Sequence, residues 1–346
     1  MTTVLESLNR GLQRAMELDE RVFILGEDIL DPYGGAFKVT RGLSSTYPER
    51  VLTTPISEAG IVGLAAGMAL RGLRPVVEIM FGDFLTLAAD QVINHIAKFH
   101  WMYAEQVSVP LVIRTPMGGR RGYGPTHSQT LEKLFLGIPG LKVLAPNAVC
   151  DPSELLLQAI LADDDPVLFI ENKLLYLQKL HDTTAQGEFT IKINTPAAGK
   201  TTWSNYTSTP GYPTALLSLR EAPPARLTIA AYGYMAELAQ QAAMILAYQH
   251  EIFTDIIIPT QLAPFDSQPV LASACSSHKL LVVEEGTQTM GWGAEIVALA
   301  AEIMGGQLQQ VRRLGALDLP VPASPALEQA VLPGVNEIVH CVKSMV

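Results

Sequence analysis

The sequence predicts an α/β fold of two doubly wound domains, and three observations carry that prediction. Short apolar runs alternate with helix-spaced segments along most of the chain, the pattern of strand, crossover helix and parallel strand. The length of 346 residues corresponds to about two domains, each able to bury its own core. Between the two alternating regions the pattern lapses into Thr, Ser, Pro, Gly and Asn. The chain is therefore divided into a first domain over 1–176, a linker over 177–226 and a second domain over 227–346.

The first domain opens with Val4, Leu5, Leu8, Leu12, Ala15 and Met16 at helical spacing, behind a Thr3/Glu6 capping box. Strands are expected at 21–26, 50–54, 75–80, 110–115, 142–145 and 166–170, and helices at 57–70, 83–99 and 151–161. The second domain repeats the alternation, with strands at 227–232, 255–259, 279–284 and 310–314 and helices at 235–248, 267–276, 292–304 and the C-terminus. Both sheets are expected to be mostly parallel. The linker carries a few aromatics, among them Trp203, Tyr206 and Tyr212.

Composition narrows the function classes. Hydrophobic residues make up 48% and charged residues 17%, which excludes a disordered chain. A net charge of -10 argues against nucleic acid or an anionic membrane as partner. Glu6 and Arg10 interrupt the stretch where an export signal would need unbroken apolar residues. The longest apolar run, 61–70, is too short to span a bilayer, which needs roughly 20 residues. Cys150, Cys275 and Cys341 are odd in number, far apart and without C-x-x-C spacing. They read as free thiols in a reducing compartment, expected to be the cytoplasm.

Two stretches concentrate candidate chemistry. In 53–63, Thr-Thr-Pro-Ile-Ser-Glu-Ala-Gly-Ile-Val-Gly, Pro55 fixes the approach, Ser57 is placed to cap the helix, and Glu58 falls in its first turn. Gly60, Gly63 and Gly67 with Ala65, Ala66 and Ala69 let another backbone or a flat ligand come close. Glu58 is thereby set at the carboxyl edge of a sheet, where ligands bind in open α/β folds. The loop 116–129 places Arg120, Arg121 and His127 directly after a buried strand. G-x-G-x-x-G after the first strand, Walker A, H-E-x-x-H and G-x-S-x-G are all absent. The residues alone thus lead to a two-domain α/β protein with a candidate carboxylate and histidine.

Taken together, Thr54-Pro55-Ile56-Ser57-Glu58-Ala59-Gly60, Glu78-Ile79-Met80-Phe81-Gly82-Asp83-Phe84, Asp90-Gln91-Val92-Ile93-Asn94, Thr126-His127-Ser128-Gln129 and Pro139-Gly140-Leu141-Lys142-Val143 resemble the β subunit of a thiamine-diphosphate-dependent 2-oxoacid dehydrogenase, the E1 component. Val283-Glu284-Glu285-Gly286, Gly291-Trp292-Gly293-Ala294-Glu295 and Asp318-Leu319-Pro320-Val321-Pro322 extend the resemblance into the second domain. It implies a pyrimidine-binding thiamine-diphosphate domain followed by a transketolase C-terminal-type domain. It also implies an E1 α subunit that holds the diphosphate and Mg2+, since Gly82-Asp83-Phe84 lacks the second glycine of the diphosphate motif and no matching Asn pair follows. The expected assembly is an α2β2 heterotetramer that takes a 2-oxoacid and serves a lipoyl-bearing E2 acyltransferase.

The same resemblance assigns roles. Glu58 matches the carboxyl group that hydrogen-bonds the cofactor's pyrimidine and switches its amino group into a basic imino form; the alternative is an acid serving the helix dipole. Ile56 and Phe84 match cofactor-binding positions, with core packing the alternative for Phe84. His127 matches a histidine near the substrate carbonyl or the lipoyl arm. Arg120 and Arg121 could meet a carboxylate or the α subunit, or form a solvated pair. Asp163 and Asp165 sit where some members hold potassium, and an acidic turn capping the next element is the alternative. A transketolase-like or acyloin-forming carboligase and a non-catalytic assembly subunit are the competing functions.

Overall fold

A computed structural model describes residues 2–181, 187–196 and 211–346. It divides into two compact units, Met1–Met117 with Leu134–Leu180, and Gly118–Lys133 with His181–Val346.

In the first unit, α1 (Val4–Leu18) starts at the expected capping box: Glu6 N donates to Thr3 Oγ1 and Thr3 N donates to the Glu6 carboxylate. Its buried stripe is Val4, Leu8, Leu12, Ala15 and Met16, each large side chain contributing about 1.5–3 kcal/mol on burial. After β1 (Val22–Gly26) and a short α2 (Leu43–Thr46) come β2 (Val51–Thr53), α3 (Glu58–Leu70) and β3 (Arg74–Glu78). The chain continues through α4 (Ala97–Met102), β4 (Val112–Met117), β5 (Lys142–Leu144), α5 (Pro152–Leu161) and β6 (Val167–Asn172). Asp151 caps α5 by accepting from Ser153 N, and Ser7 Oγ on α1 donates to the same carboxylate at 2.6 Å.

The strands of this unit lie in the order β5-β6-β4-β3-β1-β2, all parallel. Gly26 pairs with both Thr53 and Glu78, so the carboxyl ends of β1, β2 and β3 are level. In the next pairings Glu78 stands opposite Arg114, and Glu171 opposite Pro116 two residues on. The three charged side chains share one face because alternate residues of a strand point the same way. Arg114 donates from Nε and Nη2 to Glu171, both at 2.7 Å, and from Nη1 to Glu78 at 2.8 Å. Tyr176 OH donates to Glu171 as well, at 2.7 Å. Burial opposes the charge on Arg114, but Glu171 and Glu78 outweigh it and hold the guanidinium firmly protonated. Burial pushes the Glu78 carboxyl up in spite of that contact.

Two local expectations are corrected. Residues 83–99 are not one α-helix: a 3-10 helix, Gly82–Ala88, is followed by a π-helix, Gln91–Ile96, and only then by α4. Burial at Gly82, Leu85 and Ala88 recurs every three residues, the period of the tighter helix. Ser57 does not cap α3 through its side chain. Its carbonyl instead accepts from Ile61 N at 2.8 Å to begin the helix.

The second unit contains β7 (Phe189–Asn194), β8 (Thr214–Leu219), β9 (Leu227–Ala231), α6 (Tyr234–His250), β10 (Thr254–Pro259), β11 (Gln261–Ala263) and α7 (Gln268–Ser277). It ends with β12 (Lys279–Thr287), α8 (Trp292–Met304), β13 (Gln310–Ala316), α9 (Pro325–Val331) and α10 (Val335–Met345). Its six-stranded sheet has the order β13-β12-β9-β10-β8-β7. The first four strands are parallel, whereas β8 runs antiparallel to β10 and β7 antiparallel to β8.

Both antiparallel strands come from the stretch read as linker. β7 is the sheet edge and β8 lies inside it, and the alternation of Phe189, Ile191 and Ile193 with Thr190, Lys192 and Asn194 is the signal that marks β7. The signal is weak because every residue of β7 keeps some solvent exposure, so no continuous apolar run appears. Residues 197–210, with Trp203 and Tyr206, lie outside the described residues; Tyr212 is buried.

Replacing the shared guanidinium tests what holds the first sheet in register. Arg114→Ala leaves two buried carboxylates facing each other and is expected to lower the unfolding free energy by about 3–5 kcal/mol. Urea denaturation would measure this, and a loss of a few tenths would show that the network is dispensable.

Candidate active site

The level strand ends of the first unit position its acidic residues. β1 ends at Gly26, and Glu27 follows; β2 ends at Thr53, and a four-residue approach leads to Glu58 at the first turn of α3. Glu58 is 6% exposed and Glu27 8% exposed. Burial raises the Glu27 carboxyl above its ordinary range, and the nearby Glu58 and Asp28 charges add to the effect. Glu27 Oε1 and Thr54 Oγ1 are buried without a hydrogen-bond partner in the chain. Such atoms normally bind water or a ligand. In the sequence, the signal for Glu27 is the Gly-Glu-Asp turn at the end of a buried run, leading into a loop at the sheet edge.

Phe84 is half-buried in the 3-10 helix, its N–H donating to Phe81 O at 3.0 Å. Its ring meets that of Phe81 edge to face, centroids 5.8 Å apart, and Phe81 meets Phe37 in the same manner at 5.8 Å. The Lys173 ammonium lies 5.2 Å above the Phe81 ring. Aromatic pairs of this kind fix ring planes as well as burying area. Ile56 is 81% exposed. Leu64 on α3 is 55% exposed, beside exposed Gly60, Gly67 and Leu70, so α3 presents an uncovered apolar face.

His127 belongs to the second unit, unlike Glu58, Ile56 and Phe84. It is half-buried, with Nδ1 3.0 Å from Thr126 Oγ1 and its backbone N–H on Gly124 O at 3.3 Å. The second unit also buries a set of carboxylates that sequence reading did not assign. Glu132 accepts from the Tyr232 hydroxyl and has its other oxygen buried and unpaired. Glu284 accepts from Gly293 N at 3.0 Å, and Glu285 from Gly119 N at 2.7 Å. Burial, with Glu132 nearby, pushes the Glu284 carboxyl up to about 7.

Asp163 and Asp165 are brought together, but around a lysine. Lys142 Nζ pairs with Asp163 at 2.5 Å and with Asp165 at 3.1 Å. Burial opposes that ammonium, yet Asp163 and Asp165 outweigh it and keep the lysine charged. Among the described residues no group of three or more His, Cys, Asp or Glu is placed to hold a metal ion.

Buried Glu58 beside a raised Glu27, with unpaired buried oxygens at the carboxyl edge of a parallel sheet, suits a polar heterocycle that shares a proton with a carboxyl group. Comparison with known proteins supplies the class. The transketolase pyrimidine-binding domain family matches residues 1–178, and the transketolase C-terminal domain family matches residues 219–338. The pyruvate dehydrogenase E1 component subunit beta-2, mitochondrial, of Oryza sativa subsp. japonica is 38% identical over 99% of this chain and 85% of its own length. The pyruvate dehydrogenase E1 component subunit beta of Rickettsia conorii is 33% identical over 99% of this chain and 98% of its own. A solved split-gene transketolase, an inactive β4 tetramer, superposes with a TM-score of 0.73 at 19% identity, over 99% of this chain and 98% of that one; it shows the fold alone. The chain belongs to the β subunits of thiamine-diphosphate-dependent 2-oxoacid dehydrogenase E1 components.

The raised Glu284 carboxyl makes a pH prediction. Because it holds its proton in the folded state up to about 7 rather than the ordinary 4.5, the stability it contributes is full below pH 4.5 and is lost as pH rises through about 7. Glu284→Gln, which cannot ionise, is expected to remove about 3 kcal/mol of the stability lost across that window. Denaturation at pH 4.5, 6 and 8 checks this; equal pH dependence in both proteins would refute it.

Proposed function

We propose that this chain, together with an E1 α subunit, decarboxylates a 2-oxoacid on thiamine diphosphate and passes the acyl group to the lipoyl arm of an acyltransferase. The observation that carries the reading is the buried Glu58 at the first turn of α3, next to Glu27 with its unpaired buried oxygen. Pyruvate, named in the relatives above, is the first acid to test.

When bound, thiamine diphosphate supplies a thiazolium carbon that attacks the oxo group and an electron sink for the bond that breaks. This chain's residues serve it from the pyrimidine side. Glu58 would share a proton with a pyrimidine ring nitrogen, since a carboxyl group can donate or accept the hydrogen bond there. Glu27 lies close enough for its charge state to depend on that of Glu58. Phe84, braced by Phe81, gives an aromatic surface for the ring, and Ile56 an apolar one. His127 donates a proton or a hydrogen bond to the substrate carbonyl or the lipoyl arm.

Diphosphate and Mg2+ fall to the α subunit, in line with the missing glycine in Gly82-Asp83-Phe84. The uncovered apolar face of α3, with Leu64 and Leu70, supports burial in an α2β2 assembly. Potassium at Asp163 and Asp165 is not carried forward, since the Lys142 ammonium already bridges both carboxylates. Three free cysteines, Cys150 buried with its thiol pushed up to about 12 by that burial, suit the reducing cytoplasm.

Glu58→Gln in the reconstituted complex is expected to slow decarboxylation at least about 100-fold while the complex still elutes at its assembled size. Stripping thiamine diphosphate and Mg2+ by dialysis against a chelator should abolish turnover, and adding both back should restore it. Near-normal turnover of the variant, or turnover that survives stripping, would sink the reading.

A further inference from the structure

The loop that carries His127 is held in place by a carboxylate far from it in sequence. Glu328, on α9, is 3% exposed. Its Oε1 accepts from Arg120 N at 2.6 Å and its Oε2 from Gly122 N at 3.1 Å. Both oxygens are therefore used on the loop backbone, in bonds strengthened by the carboxylate charge. Glu285 takes the neighbouring amide, Gly119 N.

The loop needs such support. Arg120 and Gly122 have φ of +67° and +68°, a left-handed backbone that is unfavourable for a residue with a Cβ. Gly122 meets this without a Cβ; Arg120 does not, and depends on its contacts. Its Nη2 donates to Pro333 O at 2.5 Å, just beyond α9. Gly119 packs so tightly on this surface that a Cβ would stand 2.6 Å from Leu332 Cδ1 and 3.2 Å from Glu328 Oε1. The segment bearing α9 is itself rooted in a cluster of Ala316, Val321, Val331 and Leu332, and Leu317 N donates to Val331 O at 3.0 Å.

Both ends of the loop are tied. At the far end Glu132 accepts from Tyr232, and Lys133 donates to Thr287 and to Thr289 O. Gly118 N donates to Gln129 O at 3.3 Å and closes the base. His127 lies between these anchors.

We propose that Glu328 is a positioning residue: by clamping the amides of Arg120 and Gly122 it sets the loop so that His127 is presented in one place. The inference rests on the role given to His127 above. A Gln at 328 has one acceptor oxygen and an amide that repels the second N–H, so it keeps the shape and loses the clamp.

In the complex reconstituted with its α subunit, the amides of Arg120 and Gly122 should be protected from hydrogen exchange. Glu328→Gln should speed their exchange at least about tenfold while α8 and β12 keep their protection. It should lower the kcat of lipoyl acylation about tenfold with decarboxylation measured by an artificial electron acceptor less affected, and Glu328→Asp should fall between. Unprotected amides in the unaltered protein, or unchanged exchange in the variant, overturn the clamp. Faster exchange with unchanged acylation overturns its link to the reaction. His127→Ala, run alongside, separates the two ideas: if it acylates normally while Glu328→Gln loosens the loop, the role of His127 falls and the clamp stands as structure only.

Discussion

The Arg114 guanidinium, shared between Glu78 and Glu171 across three neighbouring parallel strands, is the constraint on which the first unit depends. Parallel pairing alone leaves register to the apolar pattern, and a strand buried on both faces has little of that. A bidentate contact to one strand and a single contact to the other admits only one alignment. The cost is one excess buried negative charge; burial raises the Glu78 carboxyl, and the Glu171 charge adds to it. With this register the ends of β1, β2 and β3 are level, and Glu27, Glu58 and the 3-10 helix with Phe84 all start from one edge.

Buried carboxylates recur in the molecule, and their settings differ. Buried Asp163 and half-buried Asp165 are bridged by Lys142, and Glu328 is spent on two backbone amides. Glu27 retains a buried oxygen with no partner, and burial raises its carboxyl. That difference separates structural acids from candidate ligand-binding ones. Glu132 and Glu284 stand between the two sorts, buried and raised but tied to Tyr232 and Gly293.

The α3 helix leaves part of its apolar surface uncovered. It is apolar around its whole circumference, with Ile61, Val62, Ala65, Ala66 and Ala69 turned inward and Leu64 and Leu70 outward. A helix of this kind is stable when both sides are buried. The residue that opens it is Glu58, so the element that bears the candidate acid is also the one with a face left for a partner.

The sequence by itself determined the strand and helix alternation, the two-domain organisation, the capping box at Thr3, and the stretch in which Glu58 opens a helix beside a strand end. Those features follow from local periodicity, turn chemistry and helix-end preferences, which need no distant contact. Tertiary structure alone decided the broken helicity of 82–102, because its period is set by what each residue packs against. It also decided that β7 and β8 join the second sheet: β7 is an exposed edge strand with little apolar signal, and β8 pairs with it. The anchoring of the His127 loop by Glu328 is the clearest case: about two hundred residues separate them, and only a fold fixed by burial brings that carboxylate onto the amides of Arg120 and Gly122.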